Sequence, residues 1–106
     1  MKAPGPPGNT LTPKTLVHIR TLFPNEIEKV SQLLISECGN NLPFLQDADA
    51  IELERYRFAA LRFSHGRITG LRNAIDLAKT DWRDLLVMAG FADDTGAHHY
   101  WDSNKK

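Results

Sequence analysis

The clearest pattern of hydrophobic and polar positions lies between residues 50 and 65. Successive residues of a helix turn by about 100°, so a helix here carries apolar side chains on two roughly opposite sides. One side has Leu53, Tyr56, Ala59, Ala60 and Phe63, and the other has Ile51, Phe58 and Leu61. Such a helix needs neighbours on both sides, so we predict that it is the central helix, with its guanidinium groups at the rim. Asp47 or Asp49 is a suitable N-cap, and Gly66 is a suitable end.

A first, weaker helix is predicted near the start of the chain. Thr12 followed by Pro13 is typical of an N-cap and a first helical position, and apolar residues continue as far as Phe23. A short strand over residues 15–20 is the alternative. Helix is favoured because no other segment offers a clear pairing partner, and a lone strand leaves its backbone groups unpaired.

A second helix is predicted after Pro24. Asn25, with Glu28 three residues later, forms a pattern like a capping box. Apolar residues at helical spacing follow, namely Ile27, Val30, Leu33 and Leu34. We expect Gly39 to end this helix in the left-handed conformation.

The segment after Gly66 predicts two more helices joined by a very short junction. The first has one apolar stripe of Ile68, Leu71, Ile75 and Ala78 and ends near Lys79. Asp81 then caps a short helix that Gly90 ends, after which Phe91 packs back onto it. Short connections favour antiparallel or sharply angled neighbours, so the predicted fold is all-α, a small bundle of four to five helices.

The ends of the chain differ in composition from its middle. Residues 1–10 hold three of the six prolines and two glycines, which predicts a flexible leader. Residues 11–92 contain the helical patterns and are predicted to form a single helical domain. Residues 93–106 are polar apart from Tyr100 and Trp101 and are predicted to form a C-terminal tail.

The charge balance limits the classes of partner. Thirteen basic and thirteen acidic side chains cancel, which removes the overall attraction to nucleic acid or anionic membrane that a strongly basic chain would have. Any such binding has to come from a local patch. Low net charge also reduces repulsion between copies, so the composition permits a homodimer.

The cysteine content and the length of the apolar runs indicate the cellular location of the protein. Cys38 is the single cysteine, whereas a secreted domain of this size usually carries several paired ones. The longest unbroken apolar run, Leu85 to Ala89, is too short for a signal peptide or a membrane span. We therefore expect a cytoplasmic protein with no membrane partner.

A run of arginines is the clearest anomaly in charge placement. Arg55, Arg57, Arg62, Arg67 and Arg72 follow one another with no acidic residue among them. Of these, Arg55, Arg62, Arg67 and Arg72 are candidate binding residues, because guanidinium groups bind phosphates and carboxylates through paired donors. The alternative is structural, with stems packed on the core and heads paired with acids of neighbouring helices.

The aromatic pair Tyr100 and Trp101 is a second candidate binding feature. Aromatic side chains at the edge of a small domain either complete its core or anchor a partner. The sequence leaves both alternatives open for this pair. For Phe91, core completion is favoured.

Candidate catalytic and metal-binding residues form only weak patterns. Cys38 lies at a predicted helix C-terminus, where exposed carbonyl groups disfavour the negatively charged thiolate form of the side chain. Ser64 and His65 are adjacent in sequence, with no third group identified to orient them. The histidines match none of the usual zinc spacings, so we expect no metal site and no cofactor.

Together, these patterns predict a non-catalytic helical module for protein–protein interaction, whose partner is another protein or a second copy of the chain. The first alternative is binding of nucleic acid or another polyanion through the region from Arg55 to Arg72. The second alternative is a small enzyme that uses His65 or Cys38. We expect Cys38, Ser64 and the histidines not to meet in one cleft.

Overall fold

A computed structural model describes residues 10–92, 98 and 101. These residues form α1 (Pro13–Leu22), α2 (Ile27–Glu37), a 3₁₀ helix (Pro43–Leu45), α3 (Ala50–Ser64) and α4 (Ile68–Ala89). No strand occurs among them, which confirms the all-α prediction and helix over strand for residues 15–20. The predicted leader up to residue 9, and the predicted tail apart from His98 and Trp101, lie outside the described residues. Among the described helices, none combines the length and the apolar composition of a membrane-spanning segment.

The predicted caps of α1 and α3 are confirmed. Thr12 Oγ1 accepts a hydrogen bond from the backbone N–H of Thr15 at 3.2 Å, and Pro13 is the first residue of α1. Asp49 Oδ1 accepts from the backbone N–H of Glu52 at 2.8 Å. Both bonds satisfy a donor that would otherwise lack a partner in the first helical turn.

The end of α3 is confirmed as well, although two residues rather than one make the turn. His65 has a φ of 51° and Gly66 a φ of 76°, so both adopt the left-handed conformation. A non-glycine residue in this conformation is uncommon. The backbone therefore reverses sharply between α3 and α4.

The predicted caps of α2 are wrong. Its N-cap is Glu26, which makes no side-chain capping bond, rather than Asn25. Its C-cap is Cys38, and the left-handed glycines of the described chain are Gly66 and Gly90, not Gly39. A Cβ atom at Gly39 would lie 2.7 Å from Arg57 Nη2, so the absence of a side chain at Gly39 leaves room for this guanidinium group.

Helix α4 consists of two segments that meet at Asp81, as the predicted junction required. Asp81 has non-helical angles (φ −151°, ψ 80°), and its Oδ1 accepts from the backbone N–H of Asp84 at 3.2 Å. The second segment, residues 82–89, begins beside Tyr56, whose ring centre lies 5.9 Å from that of Trp82. It ends at Gly90 (φ 80°), next to Arg62, so this segment lies alongside α3.

Helix α3 lies at the centre of the fold, as predicted. It packs against α1 and most extensively against α4, and Leu53, Tyr56 and residues 58–61 are buried along it. Ile51 is the exception, because its side chain is 61% exposed. It shares a side with Phe58, but α1 begins at the level of Glu54 and covers only Phe58. The prediction that Ile51 faces the core is therefore wrong.

The packing of α3 against α4 predicts an unusual response to alanine at Gly70. An added Cβ would lie 2.5 Å from the carbonyl oxygen and 2.9 Å from the Cα of Ser64, both of which are backbone atoms. We expect Gly70→Ala to lower the free energy of unfolding by about 1–3 kcal/mol. Helix propensity alone would raise it by about 1 kcal/mol.

Urea denaturation of the variant measures this change. Asn73→Ala, on the exposed face of the same segment, is the control, and its effect should stay within about 0.5 kcal/mol. Equal or greater stability of Gly70→Ala would contradict the close contact between α3 and α4.

Candidate functional site

Arg57 is buried, contrary to the expectation that the guanidinium groups of α3 lie at the rim. Its side chain is 2% exposed. Nε donates to the carbonyl oxygen of Cys38 at 2.9 Å, and Nη1 donates to that of Thr10 at 2.9 Å. Cys38 caps the C-terminus of α2, where exposed carbonyl groups attract a cation. Burial lowers the pKa of Arg57 from its ordinary value.

Arg55 has a similar role at another chain segment. Its side chain is half-buried, and Nη2 donates to the carbonyl oxygen of Phe91 at 2.8 Å, directly after α4 ends. Arg55 and Arg57 thus bind main-chain carbonyl groups next to the ends of other helices. This explains part of the arginine run without any external ligand.

Glu54 joins α3 to the start of α1 and to the tail. It is 6% exposed and accepts a hydrogen bond from the hydroxyl of Thr12, the N-cap of α1. Its Oε1 lies 3.3 Å from Nε2 of His98, a fully buried residue. A carboxylate on the central helix therefore contacts both chain segments.

The candidate tail residue Trp101 packs on the chain's own helices. Its ring lies 4.2 Å from that of His18 in a stacked arrangement, and 5.8 Å from that of Phe58. Phe91 is 1% exposed, as its predicted place in the core requires. Tyr100 lies outside the described residues.

The remaining candidate arginines are exposed and lie in different places. The guanidinium carbon of Arg62 is 5.5 Å from the ring centre of Phe91, so Arg62 lies near Arg55. Arg67 is the N-cap of α4. Arg72 lies on the first segment of α4, facing α2. The structure thus brings Arg55 and Arg62 together and leaves Arg72 on another surface.

A cleft of about 330 Å³ lies between α2 and the first segment of α4. Its lining consists of Leu33, Glu37, Arg72, Ile75, Asp76 and Lys79. Lys79 Nζ donates to Glu37 Oε2 at 2.9 Å, and this bond raises the pKa of Lys79. The cleft has two basic and two acidic side chains, so it has no preference for ligands of one charge sign.

Two adjacent apolar side chains are exposed at the end of α4. Val87 is 61% exposed and Met88 is 63% exposed, whereas Leu85, Leu86 and Ala89 are buried. The exposure of these two side chains was not predicted above, although the sequence contains a signal for it. Five consecutive apolar residues in a helix cannot all face the same side, so some had to face outward.

The candidate nucleophiles are not arranged for catalysis. The Cys38 side chain is fully buried, and burial raises the pKa of its thiol to about 11. The Ser64 hydroxyl donates to the carbonyl oxygen of Leu61, within its own helix. His65 is exposed at the end of α3, while Cys38 lies beside Arg57, about two turns earlier. Among the described residues, no group of three or more potential ligands is suited to a metal ion.

Comparison with models of protein families, with curated proteins and with solved structures found no match to this chain.

The burial of Cys38 predicts slow modification of its thiol. An increase in pKa from 9.0 to about 11 reduces the thiolate fraction near neutral pH by about 100-fold. We expect iodoacetamide at pH 8 to react at least about 100-fold more slowly with the folded chain than with the chain in guanidinium chloride. Mass spectrometry of the alkylated product measures both rates, and equal rates would show that the thiol is accessible.

The same shift in pKa predicts a loss of stability in alkali. Above pH 9.0 the thiol of the unfolded chain ionises, while the folded chain keeps it protonated up to about pH 11. The free energy of unfolding should therefore fall as pH rises from 9 to 11. Cys38→Ala should lack this component, and an identical pH dependence in both proteins would contradict the buried neutral thiol.

Proposed function

We propose that this chain is a non-catalytic protein-binding module whose contact surface is centred on Val87 and Met88. The proposal is supported mainly by the exposure of these two apolar side chains on a helix whose neighbouring Leu85, Leu86 and Ala89 are buried. Exposed adjacent apolar side chains, next to charged ones, are a feature of binding surfaces.

Charged residues surround this apolar pair. Arg83 and Asp84 precede Val87 and Met88 by four residues each, so they occupy the adjacent turn on the same faces. Arg62 of α3 also lies close to the end of α4. Its Nη1 is 3.6 Å from the point that a Cβ atom at Gly90 would occupy. Two cations and one anion therefore flank the pair. Arginine and methionine are both enriched in protein interfaces.

This arrangement favours a partner with an apolar side chain flanked by carboxylates. A second copy of the chain is an alternative partner, because the net charge is zero and copies do not repel one another strongly. Binding of nucleic acid is less well supported, since Arg55 and Arg57 donate to carbonyl groups of their own chain. We also propose a cytoplasmic location, because the single cysteine is a buried thiol rather than part of a disulfide framework.

Site-specific photo-cross-linking tests the proposal. A photoreactive amino acid placed at Met88 should give one discrete protein adduct in cells that express the chain. The same amino acid at Val17, which is 52% exposed on α1, is the matched control and should not give that adduct. An adduct of twice the chain's mass would identify a homodimer, and a nuclease-sensitive adduct would indicate nucleic acid instead.

The identified partner then allows a quantitative test. Replacing Val87 and Met88 with serine should weaken binding at least about tenfold, because exposed apolar residues at the centre of an interface supply much of its affinity. Stability should change by less than about 0.5 kcal/mol, since both side chains are exposed. Unchanged affinity in this variant, or an equal loss for Val17→Ser, would contradict the proposed surface.

A further inference from the structure

The cleft between α2 and the first segment of α4 has a volume of about 330 Å³. Small-molecule sites in proteins occupy clefts of about 300–1,000 Å³, so this one is large enough for a small ligand. The cleft separates two helices that pack on other elements, since α2 packs against α1 and α4 packs against α3. Val87 and Met88 lie on the other segment of α4, beyond the junction at Asp81, so the cleft is a distinct site.

The floor of the cleft is apolar. Ile75 of α4 lines it and is 4% exposed, so this side chain lies beneath the charged residues rather than beside them. Leu33 lines the cleft from α2 and is partly buried against the hydrophobic core. Packing on the core holds both side chains in place. An aliphatic group of a ligand that rests on them is removed from water, which favours binding.

Four charged side chains surround this floor, and two of them neutralise each other. Lys79 Nζ donates to Glu37 Oε2 at 2.9 Å, which links α4 to α2 at one end of the cleft. Arg72 and Asp76 differ from this pair, because in the described part of the chain neither has an oppositely charged side chain within ion-pair distance. One cation and one anion therefore remain available to a ligand.

Helix geometry places these two available charges next to each other. Arg72, Asp76 and Lys79 are spaced four and three residues apart, so they project from one face of α4. A rise of about 1.5 Å per residue puts Arg72 about 6 Å from Asp76 along the helix axis. Side chains on adjacent turns can converge on a ligand whose own opposite charges are only a few bonds apart. Ile75 lies between them in sequence, so the apolar floor is adjacent to both charges.

We propose that this cleft binds a free α-amino acid with an aliphatic side chain, such as leucine. Arg72 donates paired hydrogen bonds to the α-carboxylate, and Asp76 accepts from the α-ammonium group. The aliphatic side chain rests on Leu33 and Ile75. Each charge of the ligand then has an opposite charge as its partner, whereas a ligand with a single charge leaves either Arg72 or Asp76 without one. The two charges of an α-amino acid are separated by one carbon atom, which suits side chains that converge from adjacent turns.

Backbone-amide NMR of the full chain tests this site with L-leucine as the probe. We expect saturable shifts confined to residues 33–37 and 72–79, with a Kd of about 1 mM or tighter. N-acetylleucine lacks the ammonium charge and leucinamide lacks the carboxylate charge, so each should bind at least about tenfold more weakly than leucine. Absence of shifts in these two segments, or shifts spread over the whole chain, would overturn the proposal. Equal affinities for the three compounds would also overturn it, because they would show that the charges take no part.

Two single substitutions test the role of each charge. Asp76→Asn should weaken leucine binding at least about tenfold and should remove the difference in affinity between leucine and N-acetylleucine. Arg72→Gln should cause a similar loss and should instead remove the difference between leucine and leucinamide. Both side chains are exposed, so the fold should be retained. Unchanged leucine affinity in both variants would contradict the assigned contacts.

Two controls separate the cleft from the rest of the surface. Arg20→Gln removes an exposed cation on α1 and should leave leucine binding unchanged. Val87→Ser with Met88→Ser should also bind leucine as the unmodified chain does, because both residues lie outside the cleft. Loss of leucine binding in either control would show that the effect is not specific to the cleft and would overturn the proposal. The amino-acid site and the protein-binding surface are thus tested independently.

Discussion

Helix ends leave backbone carbonyl and N–H groups without partners inside the helix, and in a small domain several of these ends lie near the core. Here the central helix α3 uses its own charged side chains to bind polar groups at or next to the ends of the other helices. Arg57 donates to the carbonyl of Cys38 after α2 and to that of Thr10 before α1. Arg55 donates to the carbonyl of Phe91 after α4. Glu54 accepts from Thr12 at the start of α1. These contacts connect the ends of α1, α2 and α4 to α3.

The arginines that bind main-chain groups of the same molecule differ from those that are available to a partner. Arg55 and Arg57 are largely committed to main-chain groups of the same molecule. Arg62 stays exposed beside Phe91 and close to the end of α4, where Val87 and Met88 are also exposed. The arginine run is therefore not one continuous basic surface. Its exposed members contribute to separate surfaces, of which the one next to Val87 combines apolar area with charge.

The helices could be predicted from the sequence because their signals are local. Thr12 and Asp49 cap the first turns of α1 and α3, and Asp81 marks the junction within α4. Each of these depends on residues within four positions, which a sequence pattern records. The central position of α3 followed from its two apolar sides, a property of its own residues.

The contacts that involve distant parts of the chain could not be predicted in the same way. Burial of Arg57 depends on carbonyl groups 19 and 47 residues away, which no local pattern indicates. Gly39 is typical of a helix end in the sequence, but in the structure it does not cap α2 and lies against the guanidinium group of Arg57. Ile51 fits the apolar pattern, yet it lies beyond the start of α1 and stays exposed. The exposure of Val87 and Met88 could have been predicted from helical periodicity, because Leu85, Leu86 and Ala89 occupy the buried side of the same helix.

The free energy of unfolding of Arg57→Met tests most directly whether charged side chains of α3 hold the helix ends. Methionine keeps much of the apolar stem but leaves the carbonyl groups of Cys38 and Thr10 without this donor, so we expect a loss of about 2–4 kcal/mol. Arg72→Met, on an exposed side chain of α4, is the matched control and should change stability by less than about 0.5 kcal/mol. An Arg57→Met protein as stable as the unmodified chain would contradict the central role of these contacts.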